Sequence, residues 1–222
     1  MKIVALIPAK KKSTRLPSKN FLILKKKNIF DYTISAAKKS KLFDKICISS
    51  DDHNFLNNLN RPKIEKFYRS KKLGKKNTPL VKVCLNFIKE FEKKYFKIDI
   101  LCLLYPTAPL RDAEDIKKTF KLLNKKCHFA LAATTYSMPP QQALFLLNKE
   151  YTKPVFKKLV KKNESEIGKI VVDNGSTYFC YVKKFKRNKS FYGKNLRVYI
   201  MKKSKSIDLN DTEDLKILKK LI

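Results

Sequence analysis

The residues best suited to chemistry lie directly behind the first apolar run of the chain. Ile7-Pro8-Ala9-Lys10-Lys11-Lys12-Ser13-Thr14-Arg15-Leu16-Pro17-Ser18-Lys19-Asn20 is a basic, hydroxyl-bearing loop. Such a loop can fold its amides and cationic side chains around a triphosphate, although on charge alone it reads equally as a solvated lysine-rich turn. Near the other end, the acidic segment Asp208-Leu209-Asn210-Asp211 precedes the terminal helix, where carboxylates also serve as helix caps. His53 and His128 are isolated and lack metal-ligand spacing, and no nucleophilic triad is supported. Cys47, Cys84, Cys102, Cys127 and Cys180 are odd in number, lack CxxC spacing and sit in apolar runs, which predicts reduced core residues.

A sheet must position these groups. Strand-length apolar stretches, Lys2–Ile7, Lys45–Ser49 and Ile98–Leu104, alternate with helix-length segments, Phe30–Ser40 and Pro79–Tyr95. In the latter, Val83, Phe87, Ile88 and Phe91 recur at helical spacing. The alternation predicts a doubly wound α/β sheet, in which ligands gather outside the carboxyl ends of the strands. The segments after the first and third of these strands are therefore where a site is expected. Acidic residues after Arg111 mark a helix start running to about Leu123. Phe129–Thr134, Thr177–Val182 and Leu196–Met201 read as strands, and Asp211–Ile222 as a terminal helix. The stretch from Ser137 to about Val172, with Pro139, Pro140 and Pro154 and no clear period, reads as an excursion from the sheet within one domain spanning 1–222.

The chain has 222 residues, 43% of them hydrophobic, enough for one sizeable core. No apolar run approaches the roughly 18 to 20 residues needed to span a bilayer, and Ile3–Ile7 is of strand length rather than a signal peptide, so a cytoplasmic protein is expected. The net charge of +33, from 52 basic and 19 acidic residues, raises nucleic acid binding as a rival. Against it, the arginines are only Arg15, Arg61, Arg69, Arg111, Arg187 and Arg197, and lysines are spread through nearly every segment. No clustered patch with arginine forks and stacking aromatics stands out, so no specific nucleic acid partner is expected.

The loop is similar to the signature of nucleotide-sugar pyrophosphorylase-like cytidylyltransferases, roughly IPAR-x-x-S-x-R-x-P-x-K-N. Leu103-Leu104-Tyr105-Pro106-Thr107-Ala108-Pro109-Leu110-Arg111 resembles the family's LLQPTSPLR segment. Asp173-Asn174-Gly175-Ser176-Thr177-Tyr178 resembles its NGAxY strand entry, and Ser206-Ile207-Asp208-Leu209-Asn210-Asp211 its S-x-DIDT metal segment. Four ordered motifs over almost the whole chain resemble the acylneuraminate cytidylyltransferases, which activate sialic, legionaminic and pseudaminic acids. The QGDxP motif of octulosonate cytidylyltransferases has no equivalent, although another sugar nucleotidyltransferase of that kind stands as the alternative within the same fold.

The resemblance implies a Rossmann-like mixed sheet of the nucleotide-diphospho-sugar transferase type and transfer of CMP from CTP to a nine-carbon acid. It assigns Ala9, Lys10, Ser13, Arg15, Lys19 and Asn20 to a CTP loop, with Arg69 and Thr78 downstream, and gives Lys10, Arg15, Lys19 and Asp208 the catalytic work. Lys10 replaces the usual arginine, and Lys11 and Lys12 replace small residues. Magnesium, or manganese, is implied at Asp208, with the second ligand either Asn210, by counting back from Asp214, or Asp211. For the sugar the resemblance implies Tyr105, where the sialate enzymes carry glutamine, with Tyr178, Phe191 and Tyr192; Gln141 and Gln142 are further candidates. The family's arginine upstream of the NG motif has no counterpart, which leaves Lys161 or Lys162 for the sugar carboxylate. A homodimer is implied, with the 137–172 excursion crossing to the partner.

Overall fold

Ile3–Pro8 forms β1, buried along its whole length, as expected of an unbroken apolar run with paired strands on both sides and helices on both faces. The chain's computed structural model describes every residue except Lys12, Thr14, Lys76, Asn148 and Lys149. Lys12 and Thr14 of the basic loop therefore lie outside the described residues. After that loop, β2 (Ile23–Leu24) and β3 (Lys27–Asn28) make a small ribbon leading into α1 (Ile29–Ser40). There follow β4 (Lys45–Ser50), α2 (His53–Asn58), β5 (Ile64–Tyr68), α3 (Leu80–Lys94), β6 (Ile100–Leu104), α4 (Ala113–Phe120) and β7 (Phe129–Thr135). An excursion carries the hairpin β8 (Leu144–Leu146) and β9 (Thr152–Pro154) and the short α5 (Glu164–Ile167). The chain then returns through β10 (Val171–Tyr181), α6 (Val182–Asn188), β11 (Leu196–Ile200) and α7 (Thr212–Leu221).

Seven strands form one sheet in the order β11-β7-β10-β6-β1-β4-β5. β1 runs parallel to β4 and β6, and β5 parallel to β4, whereas β10 is antiparallel to both β6 and β7. The sheet is thus mixed and doubly wound, as the sequence predicts. Alternation along β1 sends Ala5 and Ile7 to one face, under α1 and α4, and Val4 and Leu6 to the other, where α3 packs with Val83, Cys84, Phe87, Ile88 and Phe91. All five cysteines are free and buried.

Three departures from the sequence reading have clear causes. β5 and α2 are absent from it because Ile64–Tyr68 is an edge strand of mixed polarity and α2 has six residues. Val182 starts α6 instead of ending a strand. β10 begins at Val171, pairing Val171 and Val172 with Thr135 and Thr134, so the last two residues of the 137–172 stretch belong to the sheet. The strand is interrupted by a bulge between Asp173 and Tyr178, and that bulge breaks the alternation by which a strand is recognised in sequence.

A third, small apolar cluster fixes the site. Leu16 from the basic loop and Leu24 and Ile29 beside it pack with Leu209 and Leu218, which are fully buried. Burying side chains of this size contributes roughly 1.5 to 3 kcal/mol each. Leu209 also donates its backbone N–H to the Thr107 carbonyl at 2.8 Å. The loop after β1, the turn after β6 and the segment before α7 are thereby drawn together.

Candidate active site

The carboxyl ends of β1, β5 and β6 open onto a cleft of about 360 Å3. Its wall includes Lys10, Ser13, Arg15, Lys19, Asn20, Arg69, Thr78, Tyr105, Asp208 and Asn210, ten of the residues expected from sequence. Asn20 is buried and donates from Nδ2 to the Lys10 carbonyl at 2.9 Å, which pins the start of the loop to its end. Arg15 donates from Nη2 to Asn210 Oδ1 at 2.6 Å; Lys19 Nζ donates to the Leu209 carbonyl at 2.8 Å and to the same Oδ1 at 3.3 Å. Ser13 Oγ is buried without a hydrogen-bond partner among the described residues.

Arg69 is 4% exposed. It is held from behind by long contacts, Nη1 to the Ser49 carbonyl at 3.3 Å and Nη2 to Asp51 Oδ1 at 3.5 Å, and its Nε has no partner among the described residues. Burial lowers its pKa, against the pull of Asp51. A buried cation with idle donors facing a cleft is suited to an anionic or carbonyl-rich ligand. Asp51, not singled out from sequence, organises this corner: its Oδ1 also accepts from Lys11 N at 3.0 Å. Gly74 passes so close that an added Cβ would lie 2.2 Å from Asp51 Oδ2. The available signal was its position just past β4, a second strand ending at the same edge.

Asp208 stands at the far side. Its Oδ1 accepts from the Thr107 hydroxyl and its Oδ2 from Asn210 Nδ2 at 2.9 Å. Burial raises its pKa, opposed by the Thr107 hydrogen bond and by Lys19. The Lys19 ammonium is lowered, first by burial and then with help from Arg15 and Lys10, although Asp208 pulls the other way. Loss of water outweighs mutual attraction for both groups. Asp211, the other alternative for the second ligand, caps α7: its carboxylate accepts from Glu213 N and Asp214 N at 3.0 Å each in a capping box with Asp214. Of the two candidate partners for Asp208, only Asn210 reaches the cleft. Magnesium is commonly held by one or two carboxylates together with substrate phosphates. Asp208 fits that role as a single carboxylate, while the Asn210 carbonyl oxygen is already committed to Arg15 and Lys19.

Asp208 and Asn210 also line a second, adjoining cavity of about 530 Å3. Its wall holds Asp173, Gly175 and Tyr178 of β10, Tyr192 from the loop after α6 and Asp214 of α7. Asp173 Oδ1 accepts from Gly175 N and the Tyr178 hydroxyl, each at 2.9 Å; Oδ2 accepts from Tyr178 at 2.9 Å and from the Tyr192 hydroxyl. Gly175 takes φ +65°, which a side chain would strain, and faces Asp208. Burial, then Asp173, raises the Tyr178 hydroxyl, and the same causes take Tyr192 to about 12. The Tyr105 ring meets Tyr178 edge-on at 5.6 Å, bridging the two cavities. Behind it Arg111, fully buried, donates from Nη1 to the Ser176 carbonyl at 2.8 Å and from Nη2 to Thr33 Oγ1 at 2.6 Å, bracing the turn.

The remaining expected residues lie elsewhere. Ala9 is fully buried and its N–H is spent on the Ser49 carbonyl at 2.9 Å. Phe191 is a core side chain whose ring packs at a tilt against Phe185 and Tyr178. Gln141 is buried at the foot of the excursion, in a different cavity, and Gln142 is exposed. Lys161 and Lys162 are exposed on the excursion and line neither compartment.

A cytidylyltransferase family profile matches residues 4–219. The pseudaminic acid cytidylyltransferase of Campylobacter jejuni is 27% identical over 221 residues, 99% of this chain and 95% of that protein. The CMP-N,N'-diacetyllegionaminic acid synthase of Legionella pneumophila is 27% identical, covering 100% and 97%. The N-acylneuraminate cytidylyltransferase of Escherichia coli is 28% identical over 97% of this chain and 51% of its own length. Among solved structures, CMP:2-keto-3-deoxy-manno-octonic acid synthetase complexed with CTP aligns over 100% of this chain and 98% of its own at TM-score 0.72 and 14% identity, a likeness of fold. With a profile that spans nearly every element of the sheet and both walls of the cleft, the chain belongs to the cytidylyltransferase family.

Proposed function

We propose that this chain transfers CMP from CTP to the anomeric hydroxyl of a nine-carbon acidic sugar of the sialic, legionaminic or pseudaminic acid class, releasing pyrophosphate. The observation that carries the reading is the pair of adjoining compartments meeting at Asp208 and Asn210: one is rimmed by Lys10, Arg15, Lys19 and Arg69, the other by tyrosines and Asp173. The relatives named for pseudaminic, N-acylneuraminic and legionaminic acids support the sugar class.

In this reading Arg15, Lys19 and Lys10 hold the triphosphate, and Arg69 with Thr78 faces the nucleoside end. The anomeric oxygen forms its bond to the α-phosphorus in line with the bond to the departing pyrophosphate, while the hydroxyl proton is released. Fixed cations neutralise the charge that accumulates on the leaving group without needing to reorganise. Magnesium or manganese bound with the triphosphate would add charge neutralisation there, and Asp208, with the carbonyl of Asn210 if it turns from Arg15 and Lys19, is what this chain offers to hold it. A cytoplasmic homodimer completes the reading. The β8–β9 hairpin exposes Leu144, Phe145 and Leu146, with Val155 and Phe156 beside it, an apolar surface suited to a second copy. Among the described residues no helix is long and apolar enough to cross a membrane.

Pyrophosphate release with CTP, UTP, ATP and GTP against nine-carbon acids and the eight-carbon octulosonate tests the proposal. CTP with a nine-carbon acid is the expected pair. Preference for the eight-carbon acid would move the chain to the octulosonate enzymes. No release from any pair, with steeply salt-dependent nucleic acid binding, would favour the nucleic acid reading.

A further inference from the structure

In a chain of net charge +33, the second compartment is lined by Asp173, Asp208 and Asp214 and by no lysine or arginine among the described residues. Asp173 stands near the start of β10, where its bulge begins, beside two tyrosines, Tyr178 at 7% exposure and Tyr192 at 63%. Both phenols spend their single proton on its carboxylate. A phenol that donates its proton has only lone pairs left to offer. The part of the wall formed by Asp173, Tyr178 and Tyr192 therefore presents acceptors, the two phenol oxygens and the carboxylate itself, while Thr134, Asn174, Ser206 and Asn210 beside it donate to protein acceptors.

Resting on the proposed function, the chemistry of the sugar orients it. Its carboxylate is attached to the anomeric carbon whose hydroxyl is phosphorylated, so that end must lie at the boundary, near Lys19 and Arg15. The far end, with its hydroxyl and amide N–H donors, extends into the compartment of acceptors. We propose that Asp173 is a positioning residue for sugar selection: it fixes the polarity of Tyr178 and Tyr192 so that the wall accepts hydrogen bonds from the end of the sugar remote from the anomeric centre. An anionic or acceptor-only group at that end would be repelled.

Steady-state kinetics of Asp173→Asn and Tyr192→Phe, with N-acetylneuraminate, pseudaminic acid and N,N'-diacetyllegionaminic acid varied against saturating CTP, test this. The amide introduced by Asp173→Asn can donate to one phenol, freeing that phenol's proton to point into the cavity. The expected result is a rise of about tenfold or more in KM for the preferred acid, the scale of one hydrogen bond involving a charged group, with KM for CTP unchanged. Tyr192→Phe, at an exposed position, should raise the same KM severalfold, and the double variant should be no worse than Asp173→Asn. Should Asp173→Asn fail to fold, Tyr192→Phe alone carries the test. An unchanged sugar KM in the folded variants, or equal rises in both KM values, would overturn the proposal. If the unaltered protein uses none of the three acids, it is the underlying function that fails.

Discussion

The two compartments of the cleft are built by different means. The cationic one gathers long side chains from a loop and from the turn after an edge strand, with Arg15 and Lys19 tied to Asn210 and Leu209 and Arg69 held only by long contacts. The acidic one is made on a bulged strand and the loop after α6, with Tyr178 and Tyr192 hydrogen-bonded to one carboxylate, that of Asp173. Phosphate charge is large and diffuse, so a ring of cations can meet it without matching each oxygen to one donor. A polyhydroxylated sugar must be read donor by donor, which demands rigid acceptors. The contrast also shows that the high lysine content does not dictate local chemistry: around the second compartment the described residues are anionic or neutral.

Substitutions can break or sharpen that contrast. The largest effect is expected at the shared boundary, where Asp208→Asn should lower kcat by about a thousandfold, since removal of one key electrostatic group costs roughly a hundred- to a thousandfold; pyrophosphate release reads it. On the cationic side, Arg15→Ala or Lys19→Ala should lower kcat/KM for CTP by at least roughly tenfold while leaving the circular dichroism spectrum intact. Normal kinetics in both would remove the loop from the mechanism.

A smaller effect is expected at Asn210. An anionic oxygen binds a hard cation better than an amide carbonyl, so Asn210→Asp should lower the magnesium concentration for half-maximal rate by roughly two- to fivefold. Arg15 and Lys19 already converge on that oxygen and will compete for the new carboxylate. No change in the magnesium requirement would mean that position 210 serves the cations alone.

The smallest effect lies outside the cleft. Glu65 is held below the ordinary carboxylate range by its hydrogen bonds from Lys45 at 2.6 Å and Tyr95 at 2.6 Å. A depressed carboxyl contributes stability that is present above its unfolded pKa of about 4.3 and is lost as pH falls through the native value. Denaturant titration should show Glu65→Gln less stable than the parent by about 1 kcal/mol at neutral pH, with the gap closing below about pH 4.

Much of this was legible in the sequence. The central strands are unbroken apolar runs, and the basic loop announces itself by composition and by its place behind β1. The acidic motif was harder, because Asp208, Asn210 and Asp211 are chemically alike in one dimension; only the capping box with Asp214 turns Asp211 away and leaves Asn210 facing Arg15. Phe191 and Gln141 illustrate the same ambiguity, since aromatic and amide side chains near a site are as readily buried in packing as aimed at a ligand. Asp51 and Asp173 could not be found by charge, for each gains its role from a neighbour distant in sequence, Arg69 and Tyr192.

One boundary, with a nucleotide on one side and a sugar on the other, is central to the proposed chemistry, and initial velocities with both substrates varied test it most directly. In Lys10→Ala, on the cationic wall away from the boundary, the KM for CTP should rise while that for the nine-carbon acid stays within about twofold, and in Tyr178→Phe the opposite split should appear. If each substitution moves both KM values together, the compartments do not divide the substrates and the proposed division of labour is wrong.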